Sequence, residues 1–249
     1  MKLGYSAWGM PKLPVDEQIR LVKEIRFAGI ELICIERSTT DVEALDLEER
    51  KRIRSLLDQS GLALPSIAGS ADPIAEDPDV RTRNVARLRA GIDLAADLAG
   101  PEGPPCLVIM GYGRPEGYEH DRELIAERFV ELADYAAPRG VTLALEIHVG
   151  QAIDLPEKAL WLLERIGRRN FRLNLDTSHF DVMGLSIADS IRPLVKYAVH
   201  THVKDQRGRY PHHEFLTPCD GDYDYVAYLK EMAAGGYTGF ITPEISIMV

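Results

Sequence analysis

Four residues in the second half of the chain could hold a cation between them. They are Glu146 in the run LALEIH, Asp176 in LNLDTSH, His202 in HTHVKD and Glu244 in ITPEIS. Each closes a short apolar run, and the two-residue alternation of a strand places Thr142, Ala144, Glu146 and His148 on one face, against Leu143, Leu145 and Ile147 on the other. Asn174 and Asp176 oppose Leu173 and Leu175 in the same way, and Thr242, Glu244 and Ser246 oppose Ile241, Ile245 and Ile247. Carboxylates directed away from water are costly unless something balances their charge. A lone acid at a strand end can cap a helix or pair with arginine, so the weight rests on four such residues in succession. Three carboxylates and one imidazole form an oxygen-rich donor set, which suits manganese first, with magnesium, cobalt or zinc as alternatives.

The elements that must carry these residues alternate along the chain. Strand-like runs at 3–7, 32–36, 64–68, 107–110, 141–147, 171–176, 197–203 and 240–245 are separated by helical patterns near 15–28, 47–59, 80–98, 122–137, 156–166, 187–192 and 225–234. Gly29 reads as a helix stop, Gly61 as another, and Pro156 as a first helical residue. Eight strands joined by seven helices predict an α/β fold of the TIM-barrel type, with eight parallel strands and no final helix. An open doubly wound sheet would carry a glycine-rich phosphate turn after an early strand, and the chain has no such motif. Barrel reaction centres sit at the C-terminal ends of strands, where the four residues fall.

The 249 residues fit one domain spanning 1–249. A formal net charge of −10, from 39 acidic and 29 basic residues, disfavours nucleic acid and anionic membranes as partners. Three widely spaced cysteines, Cys34, Cys106 and Cys219, form no CxxC pair and suit a reducing, cytoplasmic setting. No run approaches the ~20 apolar residues of a membrane span. The isoleucine face of strand eight, without a helix behind it, predicts a homodimer or a partner subunit covering that flank.

The segments GIELICIE, LALEIH, LDTSH, HTHVKD and ITPEI, in this order, resemble the xylose-isomerase-like barrel superfamily, whose members include sugar isomerases and epimerases, dehydratases and abasic-site endonucleases. The stretch TPCDGDYDY is similar to the family's loop before its last helix. The resemblance implies that Glu146, Asp176, His202 and Glu244 ligate the metal, that Glu146 and Glu244 are also the acid–base pair, and that His179 binds substrate. Glu36 matches a frequent glutamate at the end of strand two, and Arg207 or Arg209 an arginine after strand seven. Pro211 stands where the endonucleases carry a ligating aspartate, which argues against a three-zinc site.

The implied chemistry is proton transfer at the carbon beside a carbonyl of a small ketose or related sugar. A divalent cation would stabilise the developing enediolate and two carboxylates would move the proton. The same set serves a dehydratase or other lyase eliminating beside the carbonyl of a keto-sugar, keto-glycoside or inosose. A non-catalytic sugar-binding subunit is a further alternative, suggested by the altered Cys219 loop. Around the centre, Trp8 and Tyr112 could stack on a sugar face. His148 and Lys204 could reach substrate oxygens, His200 reads as a hydrogen-bonded core residue, and Asp205 could pair with Lys204 or Arg207.

Overall fold

A computed structural model describes residues 1–245. The strands are β1 (Lys2–Ser6), β2 (Gly29–Ile33), β3 (Ser66–Ala68), β4 (Cys106–Met110), β5 (Leu143–Glu146), β6 (Phe171–Asn174), β7 (Ala198–His200), β8 (His202–Val203), β9 (Asp205–Arg209), β10 (His212–Leu216) and β11 (Phe240–Pro243). The α-helices are α1 (Val15–Glu24), α2 (Leu47–Ser60), α3 (Pro78–Asp97), α4 (Tyr118–Ala136), α5 (Pro156–Ile166), α6 (Ser178–Val182), α7 (Ile187–Ile191) and α8 (Tyr225–Ala234).

The main sheet runs β7-β6-β5-β4-β3-β2-β1-β11-β8, all parallel. Its two ends, β7 and β8, are halves of one chain run interrupted at Thr201, so the sheet closes on itself through the covalent chain. The expected TIM barrel is therefore present. The α-helices follow their own start and stop signals. Asp46 caps α2 by accepting from Glu49 N, and Gly61 ends it at φ +73°; Pro156 opens α5, and Gly167 ends it at φ +61°.

Outward strand residues such as Ile30, Leu32, Leu107, Ile109, Leu143, Leu145 and Leu173 pack under the helices. The inward residues Ala7, Ile33, Ala68, Cys106, Val108 and Ala144 form a second apolar cluster in the barrel itself. Small side chains are what a narrow eight-strand interior can accept. Trp8 and Ile35 pack against this inner cluster, near the C-terminal ends of β1 and β2.

Three expectations are corrected. First, β2 lies at Gly29–Ile33, three residues before the expected run, because α1 ends at Glu24 and Arg26 takes the left-handed turn at φ +63°. Gly29 is therefore a strand residue, and a Cβ there would sit 2.6 Å from Phe240 Cε1 and 3.1 Å from the Ala63 carbonyl oxygen. Second, the polar stretch after Val203 forms an antiparallel hairpin of β9 and β10, pairing Asp205 with Leu216 through to Arg209 with His212. Its residues carry no apolar alternation to mark them as strands, and pairing with each other satisfies their backbone groups. Third, of the isoleucine face expected to need a cover, Ile241 is buried within this chain, and Ile245 is half-buried. Ser246 and Ile247 lie outside the described residues.

Gly29→Ala should destabilise the barrel by about 1–3 kcal/mol, the usual cost of forcing extra volume into a packed site. Denaturant unfolding of the single variant, and of a double variant with Phe240→Leu, checks this: the smaller residue at 240 should recover part of the loss.

Candidate metal centre and active site

The C-terminal mouth of the barrel gathers Glu146 from the end of β5, Asp176 just beyond β6, His202 from β8, and Glu244 just beyond β11. All four are buried, between 1% and 8% exposed. Three overlapping groups, Glu146–Asp176–His179, Glu146–His202–Glu244 and, deeper in the barrel, Glu31–His200–His202, each present ligand atoms within 4.8 Å of one another. His202 Nδ1 lies 3.3 Å from Glu146 Oε2 and 3.6 Å from Glu244 Oε1. His179 Nε2 lies 3.5 Å from Glu146 Oε1 and 3.6 Å from Asp176 Oδ2.

Lys204 enters the same centre. Its Nζ donates to Glu244 Oε2 at 2.5 Å and stands 3.0 Å from Asp176 Oδ2 and 4.0 Å from Glu146 Oε1. It is thus a counter-charge to the carboxylates, not a free group awaiting an anion. A fourth carboxylate, Glu31 on β2, lies fully buried just beneath and accepts from His202 Nε2 at 2.9 Å. Four carboxylates meet one ammonium and, at most, one imidazolium, so negative charge is left over. Asp176 Oδ2 and both ring nitrogens of His179 are buried without a hydrogen-bond partner. The donor chemistry, the surplus charge and these unpartnered atoms all fit a divalent cation held by Glu146, Asp176, His202 and Glu244, with His179 beside it.

The electrostatics sort the groups. Burial pushes Glu146 up, but the His202 charge, the close approach of the His179 and His202 rings, and Lys204 outweigh it and hold the carboxyl well below its usual range. Asp176 is also lowered: burial opposes ionisation, and the nearby Lys204 charge more than compensates. For Glu244 burial wins over Lys204 and His202, and its pKa is raised. Burial would lower His202, yet Glu31, Glu244 and Glu146 raise it well above the ordinary value. His179 goes the other way, pushed down to about 3 by burial and by the charges of His148 and Lys204.

The hairpin roofs this centre. The ring of Phe215 on β10 stands edge-on to His179 at 4.9 Å, and Lys204 Nζ lies 5.0 Å from its centroid. His148 stacks on the other side of His179 at 3.9 Å. Asp205 pins the loop that follows, accepting from the backbone N–H groups of Gln206, Cys219 and Tyr223 at 2.9, 2.8 and 3.0 Å. It pairs with neither Lys204 nor Arg207.

Several expected site residues stand elsewhere. The Glu36 side chain is 73% exposed and meets Arg37. Arg207 pairs with Glu214 and the Asp220 carbonyl on the outer side of the hairpin, and Arg209 pairs with Asp181. Tyr112 is buried, its hydroxyl accepting from Ala71 N at 2.7 Å, so it ties two loops together. Glu31 and Phe215 were not anticipated. The signal for Glu31 was present in GIEL, where a glutamate stands inside an apolar strand with no partner in sequence.

The family description "xylose isomerase-like TIM barrel" matches residues 19–248, and the chain belongs to that family. It is 24% identical over 183 residues to an L-ribulose 3-epimerase of Methylomonas sp. (strain DH-1), a match covering 72% of this chain and 61% of that protein. The chain spans about half to three fifths of the length of the curated relatives it matches first. Among solved structures, the apo form of a 3-keto-D-glucoside 4-epimerase from E. coli superposes with a TM-score of 0.79 at 18% identity, covering 99% of this chain and 92% of that one. An IolI protein with a bound zinc atom superposes at 0.81, also at 18% identity, covering 98% and 89%. At this identity the structural likeness shows the fold. No helix of the described residues is long and apolar enough to cross a membrane.

Two outcomes follow. Lys204→Met should lower stability by about 3–5 kcal/mol at pH 7, the range for removing one partner of a buried ion pair. The loss should shrink as pH falls toward 5, because carboxylates deprived of the ammonium take up protons more readily; unfolding curves at the two pH values measure it. Imidazole NMR should show His179 neutral from pH 8 down to pH 5, with no titration in that window.

Proposed function

We propose that the chain is a divalent-metal-dependent isomerase or epimerase acting on a small ketose or related sugar by proton transfer beside a carbonyl. The observation that carries this reading is the convergence of Glu146, Asp176, His202 and Glu244 at the mouth of the barrel. The names of the L-ribulose 3-epimerase and the 3-keto-D-glucoside 4-epimerase support the same class of reaction.

A bound divalent cation would supply Lewis-acid stabilisation of the oxyanion that forms when the carbon acid loses its proton. Manganese suits the oxygen-rich ligand set, with magnesium, cobalt and zinc as alternatives, and the zinc in the IolI structure fits that range. The protein's own groups do the rest. Glu146, held ionised, removes the proton beside the carbonyl. Glu244, whose pKa burial raises, is the partner that returns a proton; two carboxylates driven apart in pKa are the usual mark of a base and an acid. His179 stays neutral and can donate to a substrate hydroxyl, while His148 and Phe215 fix the plane of its ring. Trp8, just beyond the C-terminal end of β1, offers an apolar surface to the sugar.

A second reading is elimination. Glu244 Oε2 and Lys204 Nζ form a proton-bearing pair at 2.5 Å, which could protonate a departing hydroxyl instead of returning the proton to carbon. The chain as a homodimer remains part of the proposal, without the isoleucine flank as its reason.

Reconstitution with Mn²⁺, Co²⁺ or Mg²⁺, followed by metal analysis, should give close to one ion per chain, lost in Glu146→Gln. A wild-type protein that stays metal-free rejects the proposal. Glu146→Gln and Glu244→Gln should each slow turnover by about 10²–10⁴. In D₂O, a panel of ketoses and keto-glycosides should gain deuterium beside the carbonyl, read by NMR; an unsaturated product in place of exchange would select the elimination.

A further inference from the structure

Among the described residues, Glu31 is the buried carboxylate of the barrel interior that does not face the proposed metal position. It stands on β2, between the centre and the floor of the barrel, with no exposed surface. Every oxygen valence is occupied. Ser6 Oγ donates to Oε1 at 2.6 Å, and Ser66 Oγ donates to Oε2 at 2.8 Å. His202 Nε2 lies 2.9 Å from both oxygens, and His200 Nε2 lies 3.2 Å from Oε2. A carboxylate only accepts, so the His202 nitrogen facing it must carry a proton.

That requirement has a consequence at the other end of the ring. With Nε2 committed to Glu31, Nδ1 is the nitrogen left for a metal, and it points at Glu146 and Glu244. Asn174 Nδ2 lies 3.0 Å from the same Nδ1 while its Oδ1 has no partner. Turning that amide over would let Oδ1 accept from a protonated Nδ1, so the pocket accommodates the ring with or without its second proton. A ring donating to a carboxylate behind it is also a stronger ligand in front.

We infer that Glu31 is a positioning residue: through Nε2–H of His202 it fixes the ring so that Nδ1 meets the carboxylates Glu146 and Glu244, and so sets the affinity of the centre for a divalent cation. The inference rests on the metal-centre reading above. Ser6 and Ser66 hold Glu31, and His200 fills the remaining side, so three neighbouring strands and β7 combine to aim one imidazole.

The test uses the full chain. Competition with a chromophoric chelator gives the Zn²⁺ and Mn²⁺ dissociation constants of wild type, Glu31→Gln and Glu146→Gln, with thermal unfolding as a check on folding. Glu31→Gln should weaken metal binding about 10- to 100-fold while the fold is kept. An affinity within threefold of wild type overturns the inference. If wild type and Glu146→Gln bind metal equally, or neither binds it, the metal-centre reading fails instead. ¹⁵N-histidine NMR of wild type, with His202 assigned by its loss in His202→Gln, decides the orientation whether or not the variant folds or metal binds. A proton on Nε2, in both metal-free and Zn²⁺-treated protein, is expected; an unprotonated Nε2 in either overturns the inference.

Discussion

Four carboxylates share the interior of this barrel with one lysine and three histidines, and the rest of the structure answers to that crowding. Removing a carboxylate from water costs several kcal/mol even after relaxation, so each must be matched by charge or by donors. Glu31 is matched by two serines and two imidazoles. Asp176 takes the Ser178 N–H and hydroxyl on one oxygen and faces Lys204 with the other. Glu146 and Glu244 depend on Lys204 and His202. The balance still leaves negative charge over, and that surplus is the physical basis for a divalent cation here.

The layers of the barrel follow from this demand. Beneath the centre, Gly4 and Gly29 leave room for Thr242 and Phe240, so the floor is closed by packing against backbone. Around Glu31, small inward residues on β1 and β3 allow hydroxyls to reach a carboxylate from two sides. Above the centre the hairpin brings Phe215 against His179 and Lys204, excluding water where charge interactions need a low dielectric. Asp205 anchors the base of that roof through three backbone N–H groups, which explains why an acid so close to Lys204 does not join it.

Lys204 and His202 lie two residues apart and share Glu146 and Glu244 as neighbours, yet each also has a partner of its own, Asp176 for the ammonium and Glu31 for the imidazole. The imidazole reaches back to Glu31 on β2, while the ammonium bridges Glu244, beyond the adjacent β11, and Asp176, beyond β6. The chain run that carries them is interrupted at Thr201, whose hydroxyl donates to the Phe240 carbonyl and seals the junction where the barrel closes. One short run of chain, from Thr201 to Lys204, thereby supplies both the positive groups and the seam.

The alternation of strands and helices, the start and stop signals of α2 and α5, and the inward phase of Glu146, Asp176 and Glu244 are all local properties, and they were legible in the residues themselves. So was the family, because LALEIH, LDTSH and HTHVKD keep their order at successive strand ends. The register of β2 was not legible: a three-residue change in where the strand lies turned attention to Glu36, which is exposed, and away from Glu31, which is buried. A one-strand hydrophobic run looks the same from either face, and only its pairing with β1 and β3 fixes which residues point inward. The hairpin was hidden for a similar reason, since its stability comes from pairing across space and from Phe215 docking on His179. Composition and periodicity determined which side chains could do chemistry. Tertiary pairing decided which of them meet, because a buried charge is set by neighbours drawn from distant strands.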